Sequence, residues 1–179
     1  MTSRTLRLEI LEPTSFDDPG AAPLDGYDQD SLEIFLRDGN LSEWLSSFLT
    51  HSPSRNINLL RYINKDARYL LGPFQMKINQ LKRIAGPGAQ YPVEPAVWET
   101  RIDRICTSLK DPRRLPPGII YCRDVSDDTG KHPMYQLADG AHRHEALKRL
   151  GCKRMCIIAW MKTESQLVKL LRNLSGDNK

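Results

Sequence analysis

Cysteine is scarce. Four occur in 179 residues, at positions 106, 122, 152 and 156, and none forms a Cys-x-x-Cys pair. A chain this large and this poor in cysteine is not a disulfide scaffold, and a reducing cytoplasm is the expected compartment. Long apolar runs are absent too. Nothing approaches the ~18–20 residues of a membrane span, so no membrane partner is expected. Met1 to Ile10 carries Arg4 and Arg7 but no apolar stretch of signal-peptide length. His51 and His132 stand without partners at metal-ligand spacing, which argues against a structural zinc site. There is no internal repeat and no low-complexity tract. Hydrophobic residues still make up 40% of the chain, enough for a real core in one domain of ordinary size.

Charge is plentiful but uneven. Residues 1–40 hold nine acids and three arginines, a net of −6, and the rest of the chain carries +10. An acidic arm beside a basic body points either to an anionic partner or to an arm folded back on the body.

The hydropathy pattern places the elements. Leu6, Leu8 and Ile10 alternate with polar residues and predict a short strand. Glu12 to Asp30 is rich in Pro, Gly and Asp and reads as a loop. An apolar pattern from Leu32 to Leu36 follows. Trp44, Leu45, Phe48 and Leu49 predict a second helix with Ser42 as its N-cap. Asn56 to Leu71 is helical or mixed, and Lys77 to Ile84 is a helix or the approach to a strand. Pro95 to Leu109 is an amphipathic helix with Val97, Ile102, Ile105 and Leu109 on its apolar face and Pro95 in its first turn. Ile119–Cys122 and Met134–Ala138 read as antiparallel strands around a polar turn at Ser126–Lys131. A short helix spans His142 to Leu150, with Ala146, Leu147 and Leu150 on its apolar side. Asp139 is the expected N-cap and Gly151 the expected C′ residue. Met155–Trp160 reads as a strand buried on both faces, and a last helix opens at Thr163.

Chemistry concentrates at Asp139-Gly140-Ala141-His142-Arg143, where a strand turns through glycine into a helix N-terminus. Glycine permits positive φ and close backbone approach. The first helical N–H groups are unpaired and, with the helix dipole, attract an anion. Arg143 offers a planar phosphate contact, His142 a proton near neutral pH, and Asp139 a metal ligand or proton acceptor. The plain alternative is a capped helix with surface His and Arg.

The block Tyr135–Gly151 followed by the strand Met155–Trp160 resembles the signature of the ParB/sulfiredoxin superfamily: strand, Asp/Gly-Gly-x-His/Arg-Arg, short helix with Ala and Leu, Gly, strand. The resemblance extends over roughly residues 75–165. It implies an α+β fold, a small mixed sheet with flanking helices that binds a nucleotide with its phosphates at 139–143. A sulfiredoxin carries a reactive cysteine directly before its His-Arg pair, and here that position is Ala141. A chromosome-partition ParB continues into a helix-turn-helix domain, and here only 19 residues follow Trp160. The free-serine-kinase branch, with a signature similar to Asp-Gly-His-x-Arg, fits Asp139-Gly140 best, although His142 stands one position later than in that pattern. In that branch a carboxylate before the first core helix is the base, which implies Glu94, with Glu99 as second candidate.

The sequence therefore predicts a mainly helical N-terminal extension over 1–72 and a nucleotide-binding core over 73–179. The expected function is nucleotide-dependent phosphotransfer, with ATP or ADP (CTP as alternative) and Mg²⁺, onto a small hydroxylated acceptor or water. Glu94, Asp139 and His142 are the catalytic candidates. Asp139, Gly140, Ala141, His142 and Arg143 hold the nucleotide, and Asp139 the metal. The competing reading is a non-catalytic module that binds a nucleotide or nucleic acid. Trp98 and Tyr91 either stack on a base or pack, Arg101 and Arg104 either meet a phosphate or face solvent, and Lys148, Arg149, Lys153 and Arg154 form a basic patch.

Overall fold

A computed structural model describes residues 6–11, 26–53, 55–127 and 130–176. Most of the expected loop 12–30, the tip of the 126–131 turn, the His132 side chain and the chain end after Gly176 lie outside the described residues. The protein is α+β. Six strands, β1 (Arg7–Ile10), β2 (Tyr69–Lys77), β3 (Leu81–Arg83), β4 (Gly118–Asp127), β5 (Gly130–Asp139) and β6 (Arg154–Met161), form one mixed sheet in the order β1-β2-β6-β4-β5-β3. β4 pairs antiparallel with β5, as the sequence predicts, and parallel with β6.

β6 is apolar along its length because it lies in the middle of the sheet with both faces covered. Its side chains alternate between two cores. Ile158 and Trp160 join α1 (Gln29–Phe35), α2 (Leu41–His51) and α3 (Ile57–Asp66) on one face. Ile157 and Ala159 join α5 (Ala141–Arg149) and α6 (Glu164–Gly176) on the other. The helix α4 (Pro95–Ser108) packs on α5 through Trp98, Ile102, Ala141 and Ala146. The expected division at 72/73 falls inside β2, whose Leu70 faces the first core and Leu71 the second.

Several elements differ in detail from the sequence reading. A strand forms at Arg7–Ile10, but Leu6, Leu8 and Ile10 face solvent and only Glu9 is half-buried. Arg7 donates to the carbonyl of Leu36 at 2.5 Å, and Glu9 accepts from the N–H groups of Leu41 and Ser42 at the start of α2. A carboxylate at a helix N-terminus satisfies orphan donors and the dipole together, and that outweighs the apolar alternation. The cap of α2 is Asn40, in a capping box with Glu43, rather than Ser42. Of the acidic arm, Asp28, Asp30 and Glu33 fold back onto Arg113 and Arg114, so this part is internally neutralised. On α4 the buried face is Trp98 and Ile102, with Val97 exposed.

Candidate phosphate-binding turn

The turn is built by β5 ending at Asp139 and α5 starting at Ala141, with Gly140 between them at φ 98°. Only glycine takes that conformation without strain, and a Cβ here would sit 3.0 Å from Nη2 of Arg143. Asp139 is not the N-cap. Gly140 occupies that position, and no side chain caps the helix. The first N–H groups of α5 are thus left for an outside acceptor. The far end closes as the sequence predicts. Gly151 is left-handed at φ 75°, and the N–H groups of Gly151 and Cys152 donate to Lys148 (3.1 Å) and Leu147 (2.9 Å), a Schellman cap.

Asp139 is held by Arg143, whose Nη2 donates to its Oδ2 at 2.6 Å and to the carbonyl of Pro117 at 3.2 Å. Arg143 is 8% exposed and its guanidinium lies under the turn, 5.8 Å from the Phe48 ring centroid. The planar fork expected to face a phosphate therefore buttresses the turn from beneath. Its Nε is buried with no hydrogen-bond partner.

His142 packs on Trp98, with ring centroids 4.5 Å apart, and its Nε2 is buried without a partner. Burial, and then the cations Arg101 and Arg143, hold its pKa below the usual 6.5, against a smaller opposing pull from Asp139. The ring is neutral at pH 7. Arg83 completes the wall, lying 4.9 Å from the Trp98 centroid and pairing with Glu145 at 3.2 Å. Sequence reasoning missed Arg83, because nothing in the 77–84 segment shows that it returns beside α5.

Both carboxylate oxygens of Glu94 cap α4, accepting from Ala96 (3.0 Å) and Val97 (2.9 Å). Glu99 pairs with Arg149 at 2.6 Å, which takes Arg149 out of the expected basic patch. Trp98 packs, whereas Tyr91 is exposed. Leu150, expected on the apolar side of α5, is exposed. His144, by contrast, is buried. Its Nε2 sits 3.0 Å from the Ile78 carbonyl, and since a carbonyl only accepts, Nε2 carries the proton. Cys122 is no nucleophile, its thiol pushed up to about 12 by burial and by Asp124.

Among the described residues no cluster of three His, Cys, Asp or Glu could hold a metal ion. One oxygen of Asp139 is already committed to Arg143, so the described residues by themselves do not fit an Mg²⁺ site. A cavity of about 760 Å³ ends at Ala138, one residue before the turn, with Tyr62 of α3 and Tyr91 in its wall. Among the described residues no helix is long and apolar enough to cross a membrane.

Comparison with known proteins is sparse. No family model matches the chain, and no curated protein matches it. Among solved structures, free serine kinase in complex with AMP is similar at 19% identity and a TM-score of 0.32, over 49% of this chain and 30% of that one. A glutamate-to-alanine variant of free serine kinase in complex with AMP is similar at 20% identity and the same TM-score of 0.32, over 53% and 32%. This chain thus spans about a third of the length of those kinases, and the likeness is confined to about half of its own residues.

Proposed function

We propose that the 139–143 turn binds the phosphates of a nucleotide and that the protein transfers a phosphoryl group to a small hydroxylated acceptor or to water. The observation that carries this reading is the uncapped N-terminus of α5 behind a left-handed Gly140, held in shape from below by the Asp139–Arg143 pair. Such a terminus presents N–H donors and a positive dipole end to an anion. Phosphoryl transfer asks mainly for positioning and charge neutralisation, which fits a site with few reactive groups. The sequence signature over 135–160, similar to the free-serine-kinase branch, supports the same reading.

In this scheme the acceptor oxygen attacks the terminal phosphorus and the bond to the bridging oxygen breaks. The nucleotide departs with one phosphate fewer, and the hydroxyl proton passes to a base. Of the catalytic candidates, His142 is the one beside the turn that can take the proton. Its imidazole is neutral and its Nε2, although buried, has no hydrogen-bond partner, whereas Glu94 is engaged as a helix cap. The cavity at Ala138, with its two tyrosines, is the adjoining space for the nucleoside or the acceptor.

Calorimetric titration with ATP, ADP, AMP and CTP, each with and without Mg²⁺, tests the reading. One nucleotide is expected to bind, and Arg143→Ala or Gly140→Ala, confirmed folded by circular dichroism, to weaken it at least tenfold. No binding by any nucleotide, or unchanged affinity in both variants, overturns it.

A further inference from the structure

A cavity of about 1,160 Å³ lies on the far side of Arg83 from the turn. It opens where the chain leaves β2 and runs through residues 77–90, opposite the C-terminal end of α5. Seven of its lining residues are Lys or Arg and none is Asp or Glu. Three of the seven are already engaged: Lys77 has an interaction of its own, Arg83 pairs with Glu145, and Arg154 donates to the Gln75 carbonyl at 3.3 Å. Lys82, Arg123, Lys148 and Lys153 are exposed and have no ion-pair partner among the described residues. Arg113, Arg114, Arg149, Lys162 and Lys169, by contrast, meet carboxylates, whereas this cleft gathers four such unpaired cations with no acid in its lining. Like charges gathered without counter-charges repel one another, and an anion that enters relieves the repulsion.

From this concentration of unpaired cations we infer that the cleft binds the sugar–phosphate backbone of a single-stranded nucleic acid. Its volume exceeds the usual ~300–1,000 Å³ of a small-molecule pocket. A concave cleft lined by cations can follow one strand's backbone, whereas a duplex is read by an element that projects into its groove. Asn79, Gln90 and Gln136 add neutral donors and acceptors to the lining. No Phe, Trp or Tyr lines the cleft to stack on bases, so the binding is driven by the backbone and independent of sequence. The cleft borders the proposed nucleotide turn at Arg83 and Ile84, but its unpaired cations stand apart from it. Lys148 stands near the opposite end of α5 from Gly140, roughly 12 Å along the axis at ~1.5 Å per residue.

Fluorescence anisotropy of the full chain with a labelled single strand of about 20 nucleotides, as DNA, as RNA and as the matching duplex, tests the inference. Four neutralised phosphates give a slope of log affinity on log salt of about −3, or roughly fifty-fold lost between 50 and 200 mM. The combined variant Lys82→Glu/Lys148→Glu/Lys153→Glu is expected to weaken binding at least tenfold. Arg37→Glu/Lys110→Glu/Arg172→Glu, which changes net charge equally at exposed sites outside the cleft, is expected to change it less than threefold. Nucleotide affinity is expected to be unchanged in both. Failure of the single strand to bind overturns the inference, as does equal weakening by the two triple variants or tighter binding of the duplex. Competition by ATP at its own dissociation constant overturns the separation of the two sites.

Discussion

At the scale of single residues, the Asp139–Arg143 pair decides whether the turn exists. Both side chains are largely buried, so removing one strands the other's charge. Arg143→Ala is expected to lower stability by about 3 kcal/mol in urea denaturation. The double variant Asp139→Asn/Arg143→Ala is expected to recover part of that loss, and strict additivity would show that the pair is not coupled. The two histidines of α5 make a second prediction. His142 and His144 both have pKa values held below 6.5, chiefly by burial. As pH falls through 6.5 the unfolded chain takes up protons first, so stability is full above that pH and declines below it. The melting temperature is expected to drop between pH 7 and pH 5. The drop should be smaller in His144→Gln, which keeps a donor for the Ile78 carbonyl but does not titrate. The histidine motif is legible in the sequence, but the division of labour within it is not. Three helical positions in a row, His142, Arg143 and His144, point in different directions, and only packing shows which are buried and against what.

At the scale of elements, α4 carries a discriminating test for Glu94. Loss of its cap in Glu94→Ala should cost about 1 kcal/mol, and Glu94→Asn, also a good N-cap, should restore it. If phosphotransfer is found, retention of turnover in Glu94→Asn shows that the carboxylate caps the helix and does not move a proton. At the other end of α5, Gly151→Ala places a side chain at φ 75° and is expected to cost about 1 kcal/mol with nucleotide binding intact. The elements themselves were largely readable. Pro95, the glycines at 140 and 151, and the apolar run of β6 fix their positions through local physics. What misled was face. Leu6, Leu8 and Ile10 alternate as a half-buried strand should, yet a distant helix terminus took Glu9 and turned the strand over.

At the scale of the whole molecule, the first 72 residues do not read as a detachable part. Trp44, Phe48 and Ile63 share a core with Ile119, Ile158 and Trp160 of the central strands, and β2 straddles the expected boundary. One unfolding transition is therefore expected, with tryptophan fluorescence and circular dichroism coincident in urea. A chain beginning at residue 73 is expected to be unfolded, because it exposes that entire face of the sheet. A soluble, cooperatively melting 73–179 fragment would establish two units instead. Ile158→Ala, in the same core, is expected to cost about 3 kcal/mol.

The sequence alone determined the α+β class, the β4–β5 pairing and the strand–glycine–helix turn, because periodicity, turn residues and caps act over a few neighbouring positions. Only the tertiary structure decided that Arg143 lies beneath the turn rather than facing a ligand, that Glu94 is a cap, and that Arg83 joins Trp98. Only it gathered Lys82, Arg123, Lys148 and Lys153 into one cleft. Burial and charge are sums over residues far apart in the chain, and those sums exist only once the sheet has closed over its two cores.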